Sequence, residues 1–420
     1  MILQPVLIGG GYYLWHNGKG VAIDPGHEFV DVLHRYHKLT VYHIDTVVIT
    51  HDHMDHHADL ETIINLRRGA SSELKIVANR EVIEAYGLEE RQNVQGVNIE
   101  VVDVNPGEND LKLADGVTAT ILPCMHWQRV RTLHFDEKDK LSVGKMLQNH
   151  FNAFGMQLTI NGGEKRILIS GDTLFPIRED SKSDNWTAYG GTNYPYADDD
   201  NGRKLGWRRI EFSNARPEIM SDMEVKCKQM IDAYKALDKS DIVCLHLGSL
   251  EKGFANDGIN LSSQSNSIKE AIVNNRHNPA LGYQGFHLGL MGALRLLEVL
   301  TEEKENGETG FDADNGLIVL TEFGEELLGN RQNLCVILSQ LAQLLPDCKG
   351  IQPSVIPSEI TLHVRLDSQI KGEPTGILCS YCNKIHDWRE TIGEEGPGEI
   401  IHYLVKGAAN GYHPNCSYLK

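Results

Sequence analysis

Six imidazole or carboxylate side chains fall within seven residues, His51-Asp52-His53-Met54-Asp55-His56-His57. Neutral imidazole nitrogen and carboxylate oxygen are the donors that borderline divalent ions such as Zn²⁺ take readily. His51 and His53 are two apart, so on an extended backbone both rings leave the same side, and Asp55 and His56 follow after a bend. One pair can hold one ion and the next pair a second. Two ions roughly 3.5–4 Å apart can clamp both the attacking and the leaving oxygen of a hydrolysis. A solvated His-rich loop would share this composition, but not the apolar run Val47-Val48-Ile49 directly before it, which reads as a buried strand aimed at the cluster.

The order His51-x-His53-x-Asp55-His56, preceded by Thr50, resembles the signature of the metallo-β-lactamase superfamily. The resemblance implies an α/β fold, a four-layer αββα sandwich with one or two metal ions at the edge between its sheets. It also implies where further ligands stand. His126 follows the strand read over 117–122, the place of the family's third histidine. Asp172, in Gly171-Asp172-Thr173, ends a hairpin over 156–170 and resembles the family's bridging aspartate, with Gly171 allowing a sharp turn. Asp24, at the end of the second strand of an N-terminal hairpin, is similar to a residue that buttresses the motif, or simply starts a turn. Two later histidines compete for the last position: His246 ends the strand over 241–249, and His287 precedes a helix over 290–298. That order is similar to the phosphodiesterase branch exemplified by the tRNA-processing endonuclease RNase Z. It implies His287 as ligand and His246 as catalytic or phosphate-contacting. The branch's Ala-His-Glu-Ala-Thr-Phe context is missing, so the reverse assignment stays open. The expected active-site ligands are thus His51, His53, Asp55, His56, His126, Asp172 and His287, with Asp55 and His246 as catalytic groups.

Beyond the site, 420 residues suggest one large domain, 1–330, with an aromatic, aperiodic stretch over 177–216 as a lid or partner surface. Helices are read over 322–329 and 333–345. Residues 331–372 are a connection, and 373–420 a zinc-ribbon-like module. In that module Cys379-x-x-Cys382 and, after 30 residues, His413-x-x-Cys416 could close a structural zinc site with Zn–S bonds of about 2.3 Å, and because that gap exceeds the spacing of small ribbons His386 and His402 stay open as substitute ligands. Eight cysteines, several inside apolar runs, fit reduced thiols. A formal charge of −18 offers no global attraction to nucleic acid or anionic lipid. No run of about 18 apolar residues and no basic leader is present, which predicts a cytoplasmic protein that does not enter membranes.

The expected function is a metal-dependent, dinuclear zinc hydrolase of phosphodiesterase or nuclease type that works through activated hydroxide, with Mn²⁺ or Fe also suiting the ligand set. A lactone, ester or thioester hydrolase of glyoxalase II type needs the same residues and suits the acidic chain. A scaffold that binds protein partners through the insertion or the zinc tail is the third reading, and a homodimer stays open.

Overall fold

The computed structural model describes residues 10–68, 70, 72–91, 98–126, 153–173, 175, 192–195, 207–210, 217–248, 287–313, 315–323, 331–343, 345, 348, 353–358, 364–365, 376–378 and 385–386. Among these, β1 (Tyr12–His16), β2 (Lys19–Ile23), β3 (Thr46–Ile49), β4 (Leu74–Ala78) and β5 (Ile99–Asp103) form one sheet in that order. It opens as an antiparallel hairpin across Asn17-Gly18 and continues in parallel pairs. Strands β6 (Leu111–Ala114), β7 (Val117–Pro123), β8 (Phe154–Ile160) and β9 (Lys165–Ile169) begin a second sheet. A hairpin of its own, β10 (Thr192–Pro195) with β11 (Trp207–Ile210), lies within the expected insertion. The second sheet then adds β12 (Ile242–His246), β13 (Leu317–Thr321) and β14 (Ser354–Pro357), in the order β14-β13-β12-β9-β8-β7-β6. Short strands at 364–365, 376–378 and 385–386 pair only with one another.

The central strands β3, β12 and β13 are buried on both faces, and the two sets of alternate residues pack into different cores. Val21, Ile23, Val48 and Val77 of the first sheet meet Ile121, Phe154, Met156, Ile169, Ile242, Leu317 and Val319 of the second. Their neighbours Ala22, Val47, Ile49 and Ile76 turn the other way, onto helices α1 (Phe29–His37), α3 (Leu60–Leu66) and α4 (Arg80–Tyr86); the four-residue α2 (Met54–His57) stands between α1 and α3 in the chain. On the far side, Val243, Leu245, Ile318 and Leu320 face a second helical layer. That layer is made of α6 (Pro217–Ala236), α7 (Leu290–Thr301) and α8 (Arg331–Ala342), numbered after the single turn α5 (Leu88–Arg91). Helix, sheet, sheet, helix is the four-layer order that the motif resemblance implied.

Two boundaries differ from expectation. Leu334, Cys335, Ile337, Leu338 and Leu341 of α8, with Val355 of β14, belong to the same core as α6 and α7. The sheet therefore runs past residue 330 to its edge strand at 354–357, where β14 pairs with β13 and the apolar face of α8 joins the core over it. The helix read from residue 322 does not start there: Glu322 holds φ 47°, a left-handed conformation that ends β13 abruptly. Cys124, Cys244, Cys335 and Cys348 are buried and form no disulfide, as reduced thiols would be. No described helix is long and apolar enough to cross a membrane.

One polar group braces the motif strand from below. Arg67, after α3, is buried and donates to the carbonyls of Val41, Ile44, Ser72 and Glu73 and to the Ser72 hydroxyl. It thus ties together the chain entering β3 and the chain entering β4. Arg67→Met should orphan these carbonyls and lower unfolding free energy by about 3 kcal/mol. Urea denaturation of the metal-free protein checks this, and an unchanged midpoint would refute the bracing role.

Candidate metal centre

The site is assembled where β3 ends. The Thr50 N–H donates to Asp24 Oδ1 and its hydroxyl to Asp24 Oδ2, both at 2.7 Å. With that proton committed, the Thr50 oxygen is the acceptor for His51 Nδ1–H at 3.0 Å, which leaves Nε2 of His51 as a bare lone pair. That Nε2 is buried and has no hydrogen-bond partner. Asp24 Oδ2 also faces His56 Nδ1 at 3.1 Å. The turn carrying Asp24 lies so close to the ligand loop that a Cβ on Gly26 would stand 1.9 Å from the Asp55 carbonyl oxygen. Asp24 is therefore the buttress and not merely a turn residue.

The six polar side chains of the motif divide by direction. His51, His53 and His56 crowd one side, with ring centroids of His51 4.6 Å from His53 and 4.2 Å from His56. Asp52 and His57 pair with each other at 3.0 Å, and the Tyr86 hydroxyl lies 2.5 Å from His57 Nδ1. Asp52, between two ligand positions, is turned to the rear by the bend that follows β3, where the His53 N–H donates to the His51 carbonyl.

The second sheet brings the remaining donors. β7 leads to His126, and the Met125 N–H donates to Thr173 Oγ1 at 2.9 Å, joining its end to the turn after β9. In that turn Gly171 holds φ 63°, and a Cβ there would stand 2.7 Å from the Phe154 carbonyl oxygen. Asp172 follows, buried between the sheets. Donor atoms of His51, His53, His126 and Asp172 all lie within 4.8 Å of one another. His126 Nε2 is 3.1 Å from His53 Nδ1 and 3.7 Å from Asp172 Oδ2, which is also 3.7 Å from His51 Nε2. A tetrahedral ion with bonds of about 2.0–2.1 Å separates its ligands by roughly 3.3–3.4 Å, so these atoms fit around a cation with sub-ångström adjustment. The orphaned Nε2 of His51 supplies an independent sign that a cation completes the cluster.

A second group shares Asp172. Its Oδ2 lies 3.3 Å from His56 Nε2 and 3.4 Å from His287 Nε2. Asp55 is looser: its side chain is 62% exposed and its Oδ2 lies 3.8 Å from His56 Nε2. His246 is fully buried, with Nδ1 3.0 Å from Asp172 Oδ1 and Nε2 2.7 Å from the Tyr12 hydroxyl, which is 2.6 Å from Thr321 Oγ1. As a proton donor to substrate His246 would have to release one of these bonds. Sequence reasoning passed over Tyr12, Thr321, Glu322 and Tyr86. Tyr12 and Thr321 read as ordinary strand residues, and only the fold brings them to the site. Cys379, Cys382, His413 and Cys416 lie outside the described residues, as does most of 177–216.

Residues 20–185 match the family model described as Beta-lactamase superfamily domain. The two-sheet α/β architecture is accordingly a metallo-β-lactamase fold. The matched segment carries His51, His53, Asp55, His56, His126 and Asp172 but stops before His246 and His287. No curated protein sequence matches the chain. Among solved structures, the chain is similar to the metallo-β-lactamase fold protein YhfI from Bacillus subtilis (12% identity, TM-score 0.44, 84% of this chain and 90% of that one). It is similar also to human tRNase Z, short form (11%, 0.40, 77% and 89%), and to a diphosphatase of the PhnP family (13%, 0.36, 76% and 74%).

In this metallo-β-lactamase fold the protonation states are set by burial and by neighbouring charges. Burial and the three histidines around it hold His51 well below its ordinary value, and burial pushes His53 down to about 4 against the pull of Asp172 and Asp55. Both are neutral and ready to ligate. Burial also disfavours the His56 cation, but Asp172 and Asp24 on either side outweigh it and hold His56 well above the usual range. Asp172, which burial would raise, is held well below the carboxylate range by His56 and by hydrogen bonds from His246, His287 and His56. In the metal-free protein His56 is thus a cation balanced by the two aspartates. A metal must displace that proton, so affinity should rise with pH, by about tenfold per unit for one proton released. Titration calorimetry of Zn²⁺ uptake at pH 7 in buffers of different ionisation enthalpy should register this release; uptake without it would contradict the charge arrangement. His126→Ala should remove an ion, seen as lost stoichiometry in elemental analysis.

Proposed function

We propose that this protein is a dinuclear metal-dependent hydrolase of phosphodiester substrates, with zinc as the suited ion. The observation that carries the reading is the unequal use of Asp172: Oδ2 faces His51, His56, His126 and His287, drawn from both sheets, while His246 stands on Oδ1. A carboxylate oxygen between two histidine groups suits two cations sharing it, and the 3.4 Å from His287 Nε2 to that oxygen supports reading His287 as a ligand. Held there, divalent ions supply Lewis acidity, lowering the pKa of water from 15.7 toward about 7 and stabilising charge on the oxygens that are attacked and expelled.

The chain's own groups do the rest. Asp55 is the exposed carboxylate at the rim and is placed to accept a hydrogen bond from the attacking water and orient it. His287, with a 35% exposed side chain, is the most open of the four histidines that face Asp172 Oδ2. His51 and His126 are sealed from solvent and hold geometry.

A carboxylic ester, lactone or thioester needs the same centre, and the net charge of −18 favours such a substrate over a nucleic acid. Bis-(p-nitrophenyl) phosphate, a lactone and a thioester assayed side by side on Zn²⁺-loaded protein separate the two. Diester hydrolysis should dominate, and Asp172→Ala should lower it on the order of 100-fold or more. Hydrolysis of the lactone or thioester alone would overturn the phosphodiester assignment, and hydrolysis of none would return the scaffold reading.

A further inference from the structure

The terminal torsion of an aspartate is broad and two-fold, so nothing intrinsic to Asp172 distinguishes its two oxygens. Yet one faces four imidazoles at 3.3–3.7 Å and the other faces a fifth at 3.0 Å. We propose that Tyr12 and His246 form a positioning relay that pins Oδ1 of Asp172 and so presents Oδ2 to the metal ligands.

His246 Nδ1 can donate to Oδ1 with Nε2 left as an acceptor, and the Tyr12 hydroxyl, donating to Nε2 at 2.7 Å, selects that tautomer. Thr321 Oγ1, 2.6 Å from the Tyr12 oxygen, holds the phenol from the other side. The rings of Tyr12 and His246 stack at 5.7 Å with an interplanar angle of 23°. The His246 backbone N–H donates to Ser170 Oγ, and Ser170 Oγ donates to the Gly171 carbonyl, so imidazole and aspartate hang from adjoining backbone. Tyr12 comes from β1 in the first sheet, and His246, Thr321 and Asp172 from the second. The relay therefore ties together the two layers whose separation sets the metal geometry. His246, with no open surface, acts through Asp172 rather than on substrate.

This inference rests on the metal-site reading, and one set of measurements tests both. Zn²⁺ affinity is measured by competition with a chromophoric chelator, and the visible absorption of the Co²⁺-substituted protein is recorded. The proteins are the wild type, Tyr12→Phe, His246→Asn and the double variant. Tyr12→Phe keeps the stacked ring and removes only the hydroxyl; it should weaken Zn²⁺ binding about tenfold or more and shift the Co²⁺ bands. His246→Asn offers an amide nitrogen near the place of Nδ1 but cannot reach Tyr12. Adding Tyr12→Phe to it should cost nothing further. Unchanged affinity and spectrum in Tyr12→Phe overturn the relay, as does additivity in the double variant. A lowered urea midpoint of the metal-free protein with unchanged affinity also overturns it, marking Tyr12 as a packing residue. A wild type that binds neither ion overturns the metal-site reading itself.

Discussion

One buried carboxylate oxygen organises this molecule. Asp172 Oδ2 sits at the seam of two sheets with imidazoles from both within 3.7 Å. A charge removed from water is costly unless its surroundings compensate it, and here compensation comes from the groups that would ligate a cation. The four-layer sandwich makes such a place: among the described residues, apolar side chains fill the space between the sheets, and the seam opens to polar residues at the strand ends.

The ligand loop is held from two directions at once. At the front, Asp24 accepts from Thr50 and faces His56, so one carboxylate sets the orientation of two donors. At the rear, Asp52, His57 and Tyr86 form their own hydrogen-bonded set, which fastens the same short stretch to α4. Glu322 adds a further acid close by. Burial raises its pKa from the ordinary value, and the charges of Asp172 and Asp24 add to that, against the opposing pull of His56 and His246. Its left-handed backbone ends β13 where the seam opens.

Much of this was legible in the residue order. A β-branched run ending in alternating histidines announces both a buried strand and its ligands, because a period of two fixes which side chains share a face. Gly171-Asp172-Thr173 after a hairpin, and His126 after a strand, are strand-end positions that the family resemblance already marked. The rear pair was not legible in function: Asp52 and His57 are chemically as good donors as their neighbours, and only the bend after β3 and the turn of α2 point them away. Likewise the core's extension through α8 and β14 could not be read from periodicity, since an apolar helix face does not say which sheet it covers.

Local order therefore determined strands, turns and most candidate ligands, each from interactions within a few residues. Tertiary structure alone decided that Tyr12 meets His246 across 234 positions of chain, and that His287 and His246 take opposite oxygens of Asp172. Those choices follow from the order of strands in two sheets and the distance between them, quantities set by packing of the whole sandwich and carried by no single stretch of sequence.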